Sequence, residues 1–144
     1  MKFEIDLART YPHPLEKVWR ALVDQEALGA WLMDTDFVPE VGRAFRMWCE
    51  DGEGGTDLYL CKVLELEPQH RMVWSWVLAG RQGEGETYVE FRLREVPEGT
   101  HLTIRHSGDR DRDTIERFEG GWPHKLEQLD ALLQRSTSAE QSEV

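Results

Sequence analysis

The chain has 144 residues, 40% of them apolar and 31% charged, which is the balance of one globular domain able to bury its own core. Seventeen basic against 28 acidic residues leave a formal charge of −11, so neither a nucleic acid nor an anionic membrane surface is expected as a partner, since both need clustered cations. MKFEIDLART lacks the apolar segment of a signal peptide, and no run approaches the ~18 apolar residues of a membrane span, so a cytoplasmic location is expected.

Phe3, Ile5 and Leu7 alternate with charged neighbours, which predicts a half-buried strand to about Thr10. Pro12-His13-Pro14 ends it, and Pro14 suits the first turn of a helix, where a missing N–H is no loss. Leu15, Val18, Trp19 and Leu22 follow at helical spacing, and Asp24 is placed to cap a second short helix carrying Ala27, Leu28 and Trp31. From there to residue 107 the period is two. FVPEVGRAFRMWCE predicts a short strand, a turn at Glu40 to Gly42, and a strand with Phe45, Met47 and Cys49 on one face. The glycine-rich 51–55, DGEGG, reads as a hairpin loop. TDLYLCKVLELE is a long strand with apolar residues on both faces, and Pro68 to His70 turn the chain. RMVWSWVLA then returns with Met72, Trp74, Trp76 and Leu78 together. After the loop GRQGEGE, Val89, Phe91 and Leu93 face inward on another strand, and Pro97-Glu98-Gly99 turns into the last, THLTIRHSG. Such short connections predict an antiparallel meander. Cys49 and Cys61 fall inside apolar strands and are expected as reduced, buried thiols.

Asp113-x-x-Glu116 has capping-box spacing and sets the start of a long helix near Thr114. Ile115, Phe118, Trp122, Leu126, Leu129 and Leu133 form one apolar stripe that passes straight through Gly120-Gly121-Trp122-Pro123. Pro123 has no N–H for the carbonyl of Glu119, so a kink is expected at the two glycines, letting the helix bend round the sheet or lie close against it. Trp122 is then aimed at the concave face, and a bent helix over a curved sheet leaves a hollow. STSAEQSEV has one aliphatic side chain, so a domain of residues 1–135 followed by a disordered tail, 136–144, is expected. The class is α+β, with only the last helix long enough to cover the sheet.

Val18-Trp19-x-Ala21-Leu22, Leu28-x-x-Trp31 and Val41-Gly42 before Phe45 resemble the opening of a domain of the activator of Hsp-ninety ATPase homologue type. Val63-x-Glu65-x-Glu67-Pro68 with Met72 to Trp76, Gly99-Thr100-x-Leu102-x-Ile104-x-His106, and Gly121-Trp122 before the Leu-rich end extend the likeness over roughly residues 3 to 134. It is carried by the order and spacing of these pieces, none of which is specific alone. Arg43 departs from the pattern, standing where a second glycine is usual. The resemblance implies the START-like (SRPBCC) superfamily: a helix-grip fold of about seven strands, two short helices after the first strand, and a long C-terminal helix gripped by the sheet.

Catalytic and metal motifs are weak. Asp109, Asp111 and Asp113 start like a calcium loop, but Thr114 and Gly120 stand where glycine and glutamate are needed. The five histidines have no ligand spacing, no cysteine pair has zinc spacing, Ser75 sits in no nucleophile elbow, and GRQGEGE lacks the Lys-Ser/Thr of a phosphate loop. His106 has the parity of Leu102 and Ile104, so it is expected inside, satisfied locally or else fixing a ligand. Trp74, Trp76 and Trp122 are expected to converge there too, as core or as the rim of a pocket. The expected function is binding of a small, largely hydrophobic molecule between the sheet and the last helix, with no cofactor. Its cavity would be lined by Phe45, Met47, Trp74, Trp76, Phe91, Ile104, His106, Trp122 and Leu126. One alternative is a co-chaperone role, suggested by the family name, although authentic chaperone activators carry an additional N-terminal domain. The other is an enzyme of cyclase or hydrolase type, for which His106 is the one good acid or base; no catalytic residue is assigned.

Overall fold

A computed structural model describes residues 1–50 and 54–142, with side chains through Arg135. The alternation that begins at Phe3 produces strand β1 (Lys2–Tyr11), whose odd-numbered residues turn inward and whose even-numbered ones face solvent. Helix α1 (Leu15–Val23) follows directly on Pro14 and buries Val18, Trp19, Ala21 and Leu22. The Asp24 carboxylate accepts from the Ala27 N–H at 2.9 Å and starts helix α2 (Gln25–Trp31). The Trp31 indole donates to the Ala21 carbonyl at 2.8 Å, locking the two helices together.

The sheet continues through β2 (Asp34–Thr35), β3 (Ala44–Glu50), β4 (Thr56–Glu67), β5 (Arg71–Leu78), β6 (Thr87–Val96) and β7 (Gly99–Asp109). All neighbours are antiparallel, in the order β1-β7-β6-β5-β4-β3-β2, so the first strand closes the edge beside the last one. Inward residues meet in register across it: Phe45 opposite Cys61, Cys61 opposite Trp76, Trp74 opposite Val89, Phe91 opposite Ile104, and His106 opposite both Val89 and Ile5. A bulge between Val63 and Glu65 shifts the β4 register. Helix α3 (Arg112–Ser142) covers the inner face, burying Trp122, Leu126, Leu129 and Leu133. The Tyr11 hydroxyl donates to the Leu126 carbonyl at 3.1 Å, tying the sheet edge to this helix. The chain is α+β, a seven-stranded antiparallel sheet with two short helices and one long one.

Four local expectations meet a different outcome. The short strand expected in FVPEV forms earlier, at Asp34–Thr35, because the Thr35 hydroxyl donates to the Arg46 carbonyl at 2.6 Å and accepts from the Phe37 N–H at 3.1 Å. That turn sends Phe37 into the core, against Phe45 and Trp74. Helix α3 starts at Arg112, and its cap is Asp111, which accepts from the Thr114 hydroxyl and N–H. Asp113 lies in the first turn. Cys61 is buried, as expected, but Cys49 is only half-buried. Finally, a Cβ placed on Gly120 or Gly121 would meet nothing within 4 Å, so close approach to the sheet is not what these glycines provide. The helix passes through Pro123 without a break. The 51–55 loop falls partly, and the side chains of the expected tail 136–144 wholly, outside the described residues.

Candidate functional site

Period two in β3, β4 and β5 puts Cys49, Tyr59 and Trp76 on the inner face near its open end, and the α3 stripe lowers Phe118 and Trp122 towards them. Leu32 and Met33, where the chain leaves α2, close a third side. Together with Arg117, Gly121 and Lys125 these residues line a cleft of about 160 Å³, walled mainly by apolar atoms. On α3, Arg117, Gly121 and Lys125 are spaced by four, so one helix edge presents a cation, a gap and a cation along the mouth.

Behind the cleft the rings are packed. Trp76 lies 5.1 Å from the Tyr59 ring and 6.0 Å from that of Trp122. Deeper in, Trp74 contacts Phe45 at 5.1 Å and Phe91 at 4.7 Å between ring centroids. Each tryptophan has an N–H that a buried site must satisfy. Trp31 and Trp122 do so, at the Ala21 carbonyl and at His106. The indole N–H groups of Trp74 and Trp76 are buried with no hydrogen-bond acceptor among the described residues.

His106 is fully buried, and both its ring nitrogens are engaged. The Trp122 indole can only donate, and it does so to Nδ1 at 3.1 Å. Nε2 therefore carries the proton and donates to the Thr87 hydroxyl at 2.9 Å, which donates in turn to the Trp76 carbonyl at 2.8 Å. The chain of bonds runs from α3 through β7 and β6 to β5. Phe3, Trp76, Phe118 and Trp122 surround the imidazole. Burial, with a smaller push from the Arg110 guanidinium, lowers its pKa to about 3, so the ring is neutral. A neutral imidazole with both nitrogens occupied is a clamp between helix and sheet.

Of the nine residues expected to line a cavity, Trp76 and Trp122 line the cleft, while Phe45, Met47, Trp74, Phe91, Ile104, His106 and Leu126 lie buried in the core. Sequence reasoning did not single out Leu32, Met33, Tyr59, Arg117 or Lys125 for the site. The four-residue spacing of Arg117, Gly121 and Lys125 was the available signal. Burial pushes the Tyr59 hydroxyl up to about 12, reinforced by Cys49 and Asp57, so it stays a phenol. A larger depression of about 580 Å³ on the outer sheet face is lined by Asp6, Glu90, Arg92 and Arg105, which pair among themselves (Arg105–Asp6 2.8 Å, Arg92–Glu90 3.0 Å). Among the described residues no group of three His, Cys, Asp or Glu side chains could hold a metal, and no helix is long and apolar enough to cross a membrane. Asp109 instead meets the Met1 ammonium at 2.8 Å.

A curved antiparallel sheet, a helix pair after its first strand and a long helix laid along the inner face define a START-like helix-grip protein. The chain belongs to the family described as Activator of Hsp90 ATPase homolog 1-like protein, which matches residues 12–134. It is similar to the crystal structure of protein MLL2253 from Mesorhizobium loti, at 36% identity and a TM-score of 0.81 over 92% of this chain and 98% of that one. Protein CV1439 from Chromobacterium violaceum is 28% identical, with a TM-score of 0.79 over 90% of this chain and 96% of its own. The solution structure of BH1534 from Bacillus halodurans is 26% identical, with a TM-score of 0.74 over 92% and 98%. No curated protein shows significant similarity.

Proposed function

We propose that the protein binds a small, largely hydrophobic molecule in the cleft between the inner sheet face and α3. The observation that carries this reading is the cleft itself, an open space of about 160 Å³ walled mainly by apolar atoms, with the Trp76 and Trp122 rings among its sides. The size is informative too, since about 160 Å³ gives room for about one ring within the walls of this open cleft. Membership of a START-like family supports the reading. So does the role of His106, which is held as a neutral clamp and so favours a binding module over the cyclase or hydrolase alternative. The acidic surface supports neither nucleic acid nor an anionic membrane as partner, and two unbridged cysteines suit a reducing, cytoplasmic setting.

Cys49 lines the cleft and serves as a built-in reporter. A panel of one-ring and short branched compounds, neutral and charged, is titrated while tryptophan fluorescence, melting temperature and the rate of Cys49 alkylation are followed. A ligand bound only by the folded state at a hundredfold excess over Kd adds about 2.7 kcal/mol and raises the melting temperature by several degrees. It should also slow alkylation. If no compound shifts any of the three signals, the cleft is not a binding site.

A further inference from the structure

Arg117 and Lys125 need an explanation of their own. The chain carries 28 acidic residues, yet neither of these cations makes an ion pair or hydrogen bond among the described residues. Helical spacing would normally supply a partner at three or four residues. For Lys125 those positions are Gly121, Trp122, Gln128 and Leu129, none of them acidic. Arg117 has Asp113 at the right distance along the helix, and no bridge forms between them. Stacking does not account for them either, because among the described residues the cation over an aromatic ring is Arg46 on Trp48, at 6.0 Å. Both belong to the wall of the same apolar cleft, separated by a glycine with open space where its side chain would be. The long-range field of a protein at −11 repels anions, so two unneutralised cations on one rim are a local feature working against the global charge.

We infer that the ligand of this cleft is a small monoanion, a carboxylate with an apolar part about one ring in size, whose charged end lies between Arg117 and Lys125. This inference rests on the cleft being the binding site and names the class of molecule it takes. The apolar part faces Leu32, Met33, Phe118 and Trp122, with the Trp76 and Tyr59 side chains on the same walls. Guanidinium and ammonium both donate only, so an anion is complementary and an amine is excluded. A cleft of about 160 Å³ encloses about one ring, and anything longer would extend out through its mouth.

The test compares three probes of one shape: phenylacetate, phenylacetamide and phenethylamine. Phenylacetate should bind the full chain about tenfold more tightly than the amide, the amine should be weakest, and the preference should shrink with added salt. Arg117→Gln and Lys125→Gln should each weaken phenylacetate about twofold to fivefold, as expected for partly exposed charges. Together they should bring it level with the amide. Gly121→Leu, which projects into the mouth, should remove binding of both while circular dichroism and melting remain those of a folded protein. Equal affinity for acid and amide, or a preference surviving the double substitution, would overturn the anion inference and leave the cleft reading standing. Phenylacetate binding that survives Gly121→Leu would place the anion elsewhere and overturn it as well. If none of the three probes binds, the anion inference is overturned, and the cleft reading is decided by the wider panel.

Discussion

Acidification offers a direct measure of the His106 clamp. Folded, the ring is neutral, with its pKa lowered to about 3; unfolded, it has the ordinary value of 6.5. Below pH 6.5 the unfolded state therefore binds a proton that the folded state refuses, so stability is present above that pH and is lost as pH falls towards 3. Each unit in this window costs about 1.4 kcal/mol, so moving from pH 7 to pH 5 removes about 2 kcal/mol. That is a large part of a typical domain stability of about 5–15 kcal/mol, and at this chain length it lowers the melting temperature by about 4–8 °C. Carboxylates contribute little to the change above pH 5: Asp36, Glu90 and Asp111 are held below their usual range, so the stability they supply is lost only as pH falls through the unfolded carboxylate range of about 4. Urea unfolding of the wild type and of His106→Gln at both pH values isolates the imidazole, since other titrating groups are common to both. The Gln variant retains one acceptor and one donor, so it should fold, with a loss of about 1–3 kcal/mol at pH 7 and a shallower pH dependence by about 2 kcal/mol. Parallel pH curves for the two proteins would show that His106 is not a buried neutral ring. So would an imidazole NMR signal for His106 that moves between pH 7 and 5.

Gly120→Ala and Gly121→Ala should each raise stability by about 0.5–1 kcal/mol in urea, because the added methyl meets open space in a helix. Of the two, Gly121→Ala should also weaken ligand binding, which a titration of both variants checks. Gly99→Ala should be severely destabilising, by more than about 2 kcal/mol in thermal unfolding, since Gly99 has φ of 141° and a Cβ there would run into the Tyr11 carbonyl oxygen and the His13 N–H. We also propose that the domain ends near Arg135, so deleting 136–144 should move the melting temperature by no more than about 2 °C; a larger drop would show that the segment is structural.

Period two was readable in the first strand and from Phe45 to His106 because inward side chains meet inward partners across the ladder, and a one-residue slip would turn the set to solvent. The same logic placed His106 inside, opposite Val89 and Ile5. What sequence could not supply were choices between equivalent local partners. Asp111 and Asp113 can both cap a helix; Asp111 wins because Thr114 offers it a hydroxyl as well as an N–H. Thr35, unremarkable by propensity, bonds the Arg46 carbonyl and moves the edge strand towards the N-terminus. The cleft was harder still. Its walls come from the exit of α2, three strands and α3, and Leu32 reaches Trp122 only through the packed fold. Trp76 and Trp122 do border the cleft, but which rings border space and which fill the core depends on packing at long range. Trp74 and Trp76 differ by one pair step on the same strand.

The Gly-Gly-Trp-Pro stretch inside the unbroken α3 can now be assigned a cause in part. Glycine in a helix interior costs about 1 kcal/mol against alanine, and proline costs about 3 kcal/mol, so Gly120-Gly121-Trp122-Pro123 is the weakest stretch of the longest helix by intrinsic preference. Packing does not demand it, since neither glycine lies within 4 Å of anything that a Cβ would meet. Trp122, between them and the proline, is held by its indole bond to His106 and by ring contacts to Trp76 and Phe91, which fixes the helix at the point where it is least self-supporting. Position 121 borders the cleft, and any larger side chain there would project across the gap between Arg117 and Lys125. Local helix stability is thus given up at the mouth of the cleft, and the clamp through Trp122, His106 and Thr87 restores the position of the helix. Nothing in the structure explains Gly120. The consequence is that Gly120→Ala should change stability alone, whereas Gly121→Ala, on the border of the cleft, should change stability and binding together.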